Sequence, residues 1–189
     1  MPELPDITVY VESLTHRVAG RRLRSLAVRS PFLVRTVDPP IDALVGLRCR
    51  SVERLGKRVV LAWDQDLFLV FHLMIAGRFR WSDAKPGSSK PAQSKISAPG
   101  GKLAQAMFDF ENGTLTLTEA GTKKRASLHL VRSRNQLAQL HAGGLDPLTD
   151  SAESFRAALT RENRTAKRAL TDPRILDGIG NAYSDEILH

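Results

Sequence analysis

The succession of short apolar runs between residues 23 and 131 is the feature that most limits what this chain can fold into. Eight runs read as strands: Leu23–Val28, Leu47–Leu55, Val59–Trp63, Leu67–Leu73, Arg78–Trp81, Ala106–Phe110, Thr114–Thr118 and Ser127–Val131. Several alternate apolar and polar residues, as in Met107-Phe108-Asp109-Phe110 and Leu115-Thr116-Leu117, the pattern of a sheet with one buried face. Asn112-Gly113 between two of the runs is a strong hairpin signal, and Asp64-Gln65-Asp66 reads as a further hairpin turn. Many short strands with this punctuation indicate an antiparallel β-sandwich or barrel.

Helical periodicity flanks the strands. Ile7, Val11, Leu14 and Val18 repeat at helical spacing, predicting a helix over 6–19 with Asp6 as its N-cap and Gly20 as its stop. From about residue 149 the chain turns helical again. Asp150 or Ser151 caps a helix holding Phe155, Ala158 and Leu159, and Thr165–Leu170 forms a second. Asp172-Pro173 and Gly178-Ile179-Gly180 are turns, and Asn181 opens a third helix. Periodicity breaks at His141-Ala142-Gly143-Gly144 and Asp146-Pro147, which sets a domain boundary near 140–150. Residues 82–102, rich in Ser, Lys, Pro, Ala and Gly, read as a long flexible loop between strands. In the last helix Ala182, Tyr183, Ile187 and Leu188 have little to pack against, so the natural protein is expected to continue past His189.

Composition narrows the function classes. Lys plus Arg number 28 against 20 acids, a net charge of +8, which favours a polyanionic partner without separating DNA from RNA or anionic lipid. Cys49 is the lone cysteine, so an intrachain disulfide and a four-cysteine zinc site are both excluded within these residues. No signal peptide and no apolar stretch of membrane-spanning length is read. The expectation is a cytoplasmic protein.

Three places carry candidate chemistry. Removal of Met1 would leave Pro2 with a free secondary amine. An α-amino group has a pKa of about 7.7–8, so a useful fraction is neutral and able to attack a sugar carbon to form an iminium. Glu3 adjoins it and suits general acid or base work. Lys57, in Gly56-Lys57-Arg58, is a turn lysine able to reach a phosphate or protonate a leaving oxygen. Glycines ahead of the helix at Asn181 let the backbone approach a phosphate, with Asn181 and Lys167 as side-chain donors.

Met1-Pro2-Glu3-Leu4-Pro5-Asp6, Gly56-Lys57-Arg58, His72-Leu73-Met74-Ile75-Ala76-Gly77-Arg78-Phe79 and the run 163–188 stand in that order. Together they resemble the formamidopyrimidine-DNA glycosylase and endonuclease VIII family. The resemblance implies an α+β fold: an N-terminal helix plus antiparallel β-sandwich over 1–145, then a helical helix–two-turns–helix domain that begins at 146 and is incomplete at 189. It implies Pro2 as nucleophile, Glu3 as the acid assisting ring opening, and Lys57 as a DNA-contacting lysine that assists elimination. Lys167 and Asn181 take the phosphate-gripping places. The implied activity is excision of oxidised bases, purines such as 8-oxoguanine and formamidopyrimidines foremost, followed by strand cutting through β,δ-elimination. The partner would be double-stranded DNA with oxidised or abasic sites, bound by a bacterial monomer.

The sequence departs from the family pattern in three places. The wedge methionine of many relatives falls at Ile75, with Met74 one residue earlier, and on a strand only one of the two can point into DNA. Where relatives carry an arginine pair and a phenylalanine, this chain has Lys123-Lys124-Arg125. From Gly121 to Arg134 there are five basic residues and no acid, which fits phosphate contact. The zinc ribbon of the family is not in these residues, so zinc is expected only if a four-cysteine ribbon follows residue 189, and weak or absent activity is expected of the 189 residues alone. The alternatives are a noncatalytic DNA-binding paralogue or fragment of the same fold, or an RNA-associated basic β protein.

Overall fold

The computed structural model describes residues 1–84 and 101–189. Of the expected loop over 82–102, residues 85–100 lie outside the described residues. Ser82 and Asp83 complete a strand, and Gly101–Leu103 forms a single 3-10 turn.

Helix α1 (Leu4–Val18) begins ahead of the predicted Asp6. Glu3 is its N-cap, and Asp6 is the third helical residue, its Oδ2 accepting the Glu3 backbone N–H at 2.9 Å. The acid read as the cap is thus the reciprocating member of a capping box. Pro5 is tolerated because the first helical turn needs no N–H donor. Ile7, Leu14 and Val18 form the buried face.

All eight predicted strands are present: β1 (Leu23–Val28), β2 (Cys49–Leu55), β3 (Arg58–Trp63), β4 (Leu67–His72), β5 (Gly77–Asp83), β6 (Ala104–Phe110), β7 (Gly113–Glu119) and β8 (Ser127–Arg132). They make two antiparallel four-stranded sheets, ordered β1-β6-β7-β5 and β2-β3-β4-β8. Leu61, Leu69 and Phe71 face Phe108, Phe110 and Leu115 across the sandwich, and α1 packs into the same core. β3 and β4 are apolar almost throughout because their other face is covered too. Val60, Ala62, Phe68 and Val70 bury against Leu137 of α2 (Ser133–Gln139). That helix has no sequence signature: its N-cap Arg132 makes no side-chain cap bond, Ser133 sits at φ 65°, and Leu137 is its one buried residue.

The remaining helices are α3 (Ala152–Thr160), α4 (Ala166–Thr171) and α5 (Asn181–Leu188). Ser151 and Thr165 cap the first two, accepting from the Ser154 and Arg168 N–H groups at 3.2 and 3.4 Å, as capping chemistry favours. A turn at 173–175 and a bend at 177–178 join α4 to α5, and the unit packs around Ala169, Leu170, Ile175, Leu176 and Ile179. The connector from α2 runs beside this link: the Leu145 N–H donates to the Ile175 carbonyl at 3.0 Å, and the Asp177 N–H to the Leu145 carbonyl at 2.7 Å. Ile187 and Leu188 of α5 are 53% and 50% exposed, so the expectation that they lack packing partners holds among the described residues. Among those residues no helix is long and apolar enough to cross a membrane.

Phe71 is fully buried and meets Phe79 and Phe108 edge to face, with centroids at 5.1 and 5.4 Å. Phe71→Ala is expected to cost roughly 3–5 kcal/mol of folding stability, read as a lowered urea midpoint with an unchanged slope.

Candidate active site

The N-terminal segment is held to the start of α5 by its own Glu3 side chain. The Glu3 carboxylate is 3% exposed. Its Oε2 accepts the Gly180 and Tyr183 backbone N–H groups at 2.7 and 3.1 Å, and its Oε1 accepts the Ala182 N–H at 3.0 Å. These donors belong to the first turn of a helix, where N–H groups lack intrahelical partners and a negative charge is favoured. The Leu4 N–H donates to the Gly178 carbonyl at 2.9 Å alongside. A Cβ at position 180 would lie 2.5 Å from the Glu3 carboxylate, so only glycine admits this approach. The glycine-rich entry to α5 was expected to receive a phosphate. The anion that occupies those three amides is instead the protein's own Glu3.

Pro2 is buried beside this clamp and lines a cavity of about 500 Å³ with Met1, Pro5, Tyr10, Arg78 and Tyr183. Lys57, in the β2–β3 turn, reaches the same segment from the sandwich: its Nζ donates to the Ile179 carbonyl at 2.7 Å. It is therefore half-buried rather than a solvated turn lysine. Burial pulls its pKa below the ordinary lysine value, and the negative charges of Glu3 and Asp177 act against that pull. Lys57 of the β2–β3 turn and the adjacent pair Pro2-Glu3 thus meet at the α5 entry from distant parts of the chain.

A second cavity of about 220 Å³ opens on the sandwich side, lined by Met1, Lys57, Arg58, His72, Met74, His141 and Asp177 among others. His72 pairs with Arg58 across β3 and β4. Burial first, then the charges of Arg58, Lys57 and His129, push the His72 pKa down to about 4. His72, Arg58, His141 and Asp177 were not singled out from the sequence. His72 and Arg58 lie within the runs His72–Phe79 and Gly56-Lys57-Arg58 and so had a sequence signal, without a role attached to either. The others enter the cavity through the path of the connector, which no local pattern reveals.

Met74 and Ile75 correct an expectation. They were placed on a strand, where they would face opposite ways. β4 ends at His72, and the two lie in a tight turn closed by the Gly77 N–H on the Leu73 carbonyl at 2.9 Å. Met74 takes a left-handed conformation, φ 53°, and lines the cavity with Lys57 and His72. Ile75, 59% exposed, lines a different groove of about 250 Å³ with Glu119, Gly121, Lys123 and Arg125. Of the predicted basic loop, Lys123 and Arg125 are exposed at that groove. Lys124 is turned back, its Nζ donating to the Glu119 carbonyl oxygen. The buried Glu119 carboxylate accepts the Arg125 and Ala126 N–H groups at 2.8 and 3.1 Å, which shapes the loop.

Lys167 and Asn181 are exposed on the helical side. Lys167 of α4 is ion-paired with Asp185 of α5, so the two helices are neighbours as expected. No contact joins either residue to Pro2 or Lys57 among the described residues. Among the described residues no group of three or more His, Cys, Asp or Glu side chains is placed to hold a metal ion.

A family profile described as the formamidopyrimidine-DNA glycosylase N-terminal domain matches residues 1–126. The formamidopyrimidine-DNA glycosylase of Acidothermus cellulolyticus is 31% identical over 193 residues, covering 100% of this chain and 64% of the relative. That of Lactobacillus johnsonii is 28% identical, covering 100% of this chain and 65% of the relative. The chain thus spans about 65% of the length of the curated relatives it matches. Among solved structures, Lactococcus lactis Fpg in complex with DNA containing an abasic site superposes with a TM-score of 0.83 at 23% identity, over 98% of this chain and 65% of that one. Its complex with DNA containing an oxidised pyrimidine gives the same TM-score and identity. At that identity the likeness speaks for the fold.

Removing the Glu3 carboxylate strands three backbone donors. Glu3→Ala is expected to lose about 2–3 kcal/mol of stability, measured by urea unfolding. His72 sets a pH dependence. Its folded-state pKa of about 4 lies below the ordinary 6.5, so as pH falls the unfolded chain takes up this proton first. Stability is therefore expected to fall as pH drops from about 6.5 toward 4. His72→Gln should flatten that slope in urea midpoints recorded across the range.

Proposed function

The chain belongs to the formamidopyrimidine-DNA glycosylase family, and from that premise we propose that it excises oxidised bases from double-stranded DNA through the amine of Pro2 and cuts the strand at the abasic site. The observation that carries this reading is the meeting of Lys57 and the start of α5 around the buried Pro2-Glu3 segment. The N-terminal part, 1–145, supplies the chemistry, and 146–189 begins a helical DNA-binding part.

While Met1 is attached, the Pro2 nitrogen is an amide and has no nucleophilic lone pair. Met1 lines both cavities, so its removal puts the freed secondary amine at their junction. That amine attacks C1′ of the damaged nucleotide, and the base departs with the electrons of the glycosidic bond. The attached nitrogen loses its proton and its lone pair then opens the C1′–O4′ bond, O4′ leaving as a hydroxyl once protonated, which gives the iminium; this acidifies the adjacent C2′ proton, whose loss expels the 3′ phosphate with the electrons of the C3′–O bond. Glu3 is placed to orient the amine and serve the opening sugar. Lys57 offers its ammonium to a phosphate or a departing oxygen.

Such chemistry needs the nucleotide out of the stack. Ile75, at the tip of the β4–β5 turn, is the side chain placed to fill the vacated space, with Lys123 and Arg125 beside it for the backbone. Lys167 and Asn181 take phosphates on the helical side. Lys124 has a lesser part because its ammonium is engaged. Oxidised purines, including 8-oxoguanine and formamidopyrimidines, are the favoured substrates.

A noncatalytic DNA-binding protein of the same fold is the second reading. It is favoured by Glu3 being held by three backbone donors, an arrangement that works as a clamp with or without chemistry. Borohydride trapping separates the two. A duplex with an abasic site or 8-oxoguanine is expected to give a covalent adduct that Pro2→Gly abolishes, with mass spectrometry showing Met1 absent from the adduct. No Pro2-dependent adduct with either duplex, even from a chain extended past His189, alongside retained DNA affinity, selects the second reading.

A further inference from the structure

Asp177 is a buried carboxylate that the chemistry above leaves unused. It is 6% exposed and sits where three segments meet. Its backbone N–H donates to the Leu145 carbonyl at 2.7 Å. Its Oδ2 lies 3.0 Å from His141 Nε2 and 3.7 Å from Arg54 Nη1. Arg54 is also ion-paired with Asp146. The β2–β3 turn is pressed directly on the carboxylate: a Cβ at Gly56, which has φ 61°, would lie 2.4 Å from Asp177 Oδ1. The residue after Gly56 is Lys57, and two residues after Asp177 comes Ile179, whose carbonyl receives the Lys57 ammonium.

We propose that Asp177 is a positioning residue: its buried carboxylate, gripped by His141 and Arg54, locks the β2–β3 turn against the entry to α5 and seats the Lys57 ammonium on the Ile179 carbonyl. The proposal rests on the reading of Lys57 as a cationic group of the DNA-facing cleft. A neutral side chain at 177 would leave the turn facing Arg54, Lys57 and Arg58 with less opposing charge. The charged and titratable groups around Lys57 are Glu3 from the N-terminus, Asp177 from the α5 entry, Arg58 beside it and His72 from β4. Burial disfavours the Lys57 charge, and Glu3 and Asp177 sustain it. Asp177 is thereby a mechanical stop for the turn and an electrostatic support for the lysine. A substitution at 177 leaves Arg54 its partner Asp146.

The test titrates Lys57 in the chain without DNA. ¹³C-labelled lysine gives its ε-methylene signal, assigned by comparison with Lys57→Arg. Asp177→Asn is expected to lower the Lys57 pKa by about one pH unit, and Asp177→Ala, which also removes the stop at Gly56, by at least as much. A residue with only a packing role would change the melting temperature and leave the Lys57 titration in place. An unchanged Lys57 titration in whichever of the two variants folds overturns the proposal. DNA affinity is measured in parallel. A lowered Lys57 pKa in a chain that binds no duplex upholds the Asp177 assignment and overturns the DNA reading on which its use depends.

Discussion

The acceptance of three α5 amides by Glu3 is the interaction on which the rest of the site depends. It fixes the N-terminus, fixes the direction of α5, and joins the sandwich to the helical unit through one buried carboxylate. A buried charge is costly unless fully hydrogen-bonded, and here its partners are donors that would otherwise be orphaned at a helix start. Two costs cancel in one contact. Lys57 on the Ile179 carbonyl adds a second tie from the β2–β3 turn, and Asp177 braces that turn from below. The Pro2–Glu3 segment is thus framed largely by backbone groups of the α5 entry.

Much of the fold was legible because its signals are local. The eight strands follow from apolar runs and turn residues, and β6 and β7 form the hairpin expected there, although its two turn residues are Glu111-Asn112 and Gly113 already belongs to β7, paired with Phe110. The sandwich rather than a barrel needed the two sheets to be seen as separate. Helix α2 escaped because a seven-residue helix with one buried side chain has no period to detect. The N-cap was misplaced by three residues because Asp6 and Glu3 exchange roles in a capping box, and a sequence shows both as acids near a helix start.

The site was legible in part. Pro2, Glu3 and Lys57 stand out in the sequence, and in the structure the Lys57 ammonium rests on the Ile179 carbonyl next to Gly180, whose N–H holds the Glu3 carboxylate beside Pro2. The use of the α5 N-terminus was not foreseen, because a glycine-rich helix entry looks the same whether it admits a phosphate or a carboxylate 177 residues away. For Met74 and Ile75 the sequence reading applies strand alternation past the Leu73 end of the predicted run, whereas β4 stops at His72 and both lie in the turn that follows. In the turn they serve different cavities, a division that alternation along a strand cannot produce. Asp177, His141 and Arg54 form a cluster from three segments far apart in the chain, and no spacing rule gathers them.

The clamp also has a consequence for the order in which the molecule assembles. Its partners, Glu3 and Gly180, are separated by 177 residues, close to the whole length of the chain. Contacts of such separation carry a large loop-closure entropy until the intervening structure has formed. During synthesis the sandwich strands emerge first, while Glu3 has no helix to cap until residue 183 is available. The N-terminal segment must therefore wait beside an already folded sandwich with its carboxylate in water. The arrangement of Pro2, Glu3 and Lys57 is consequently among the last features to form, and the first expected to be lost when α5 frays.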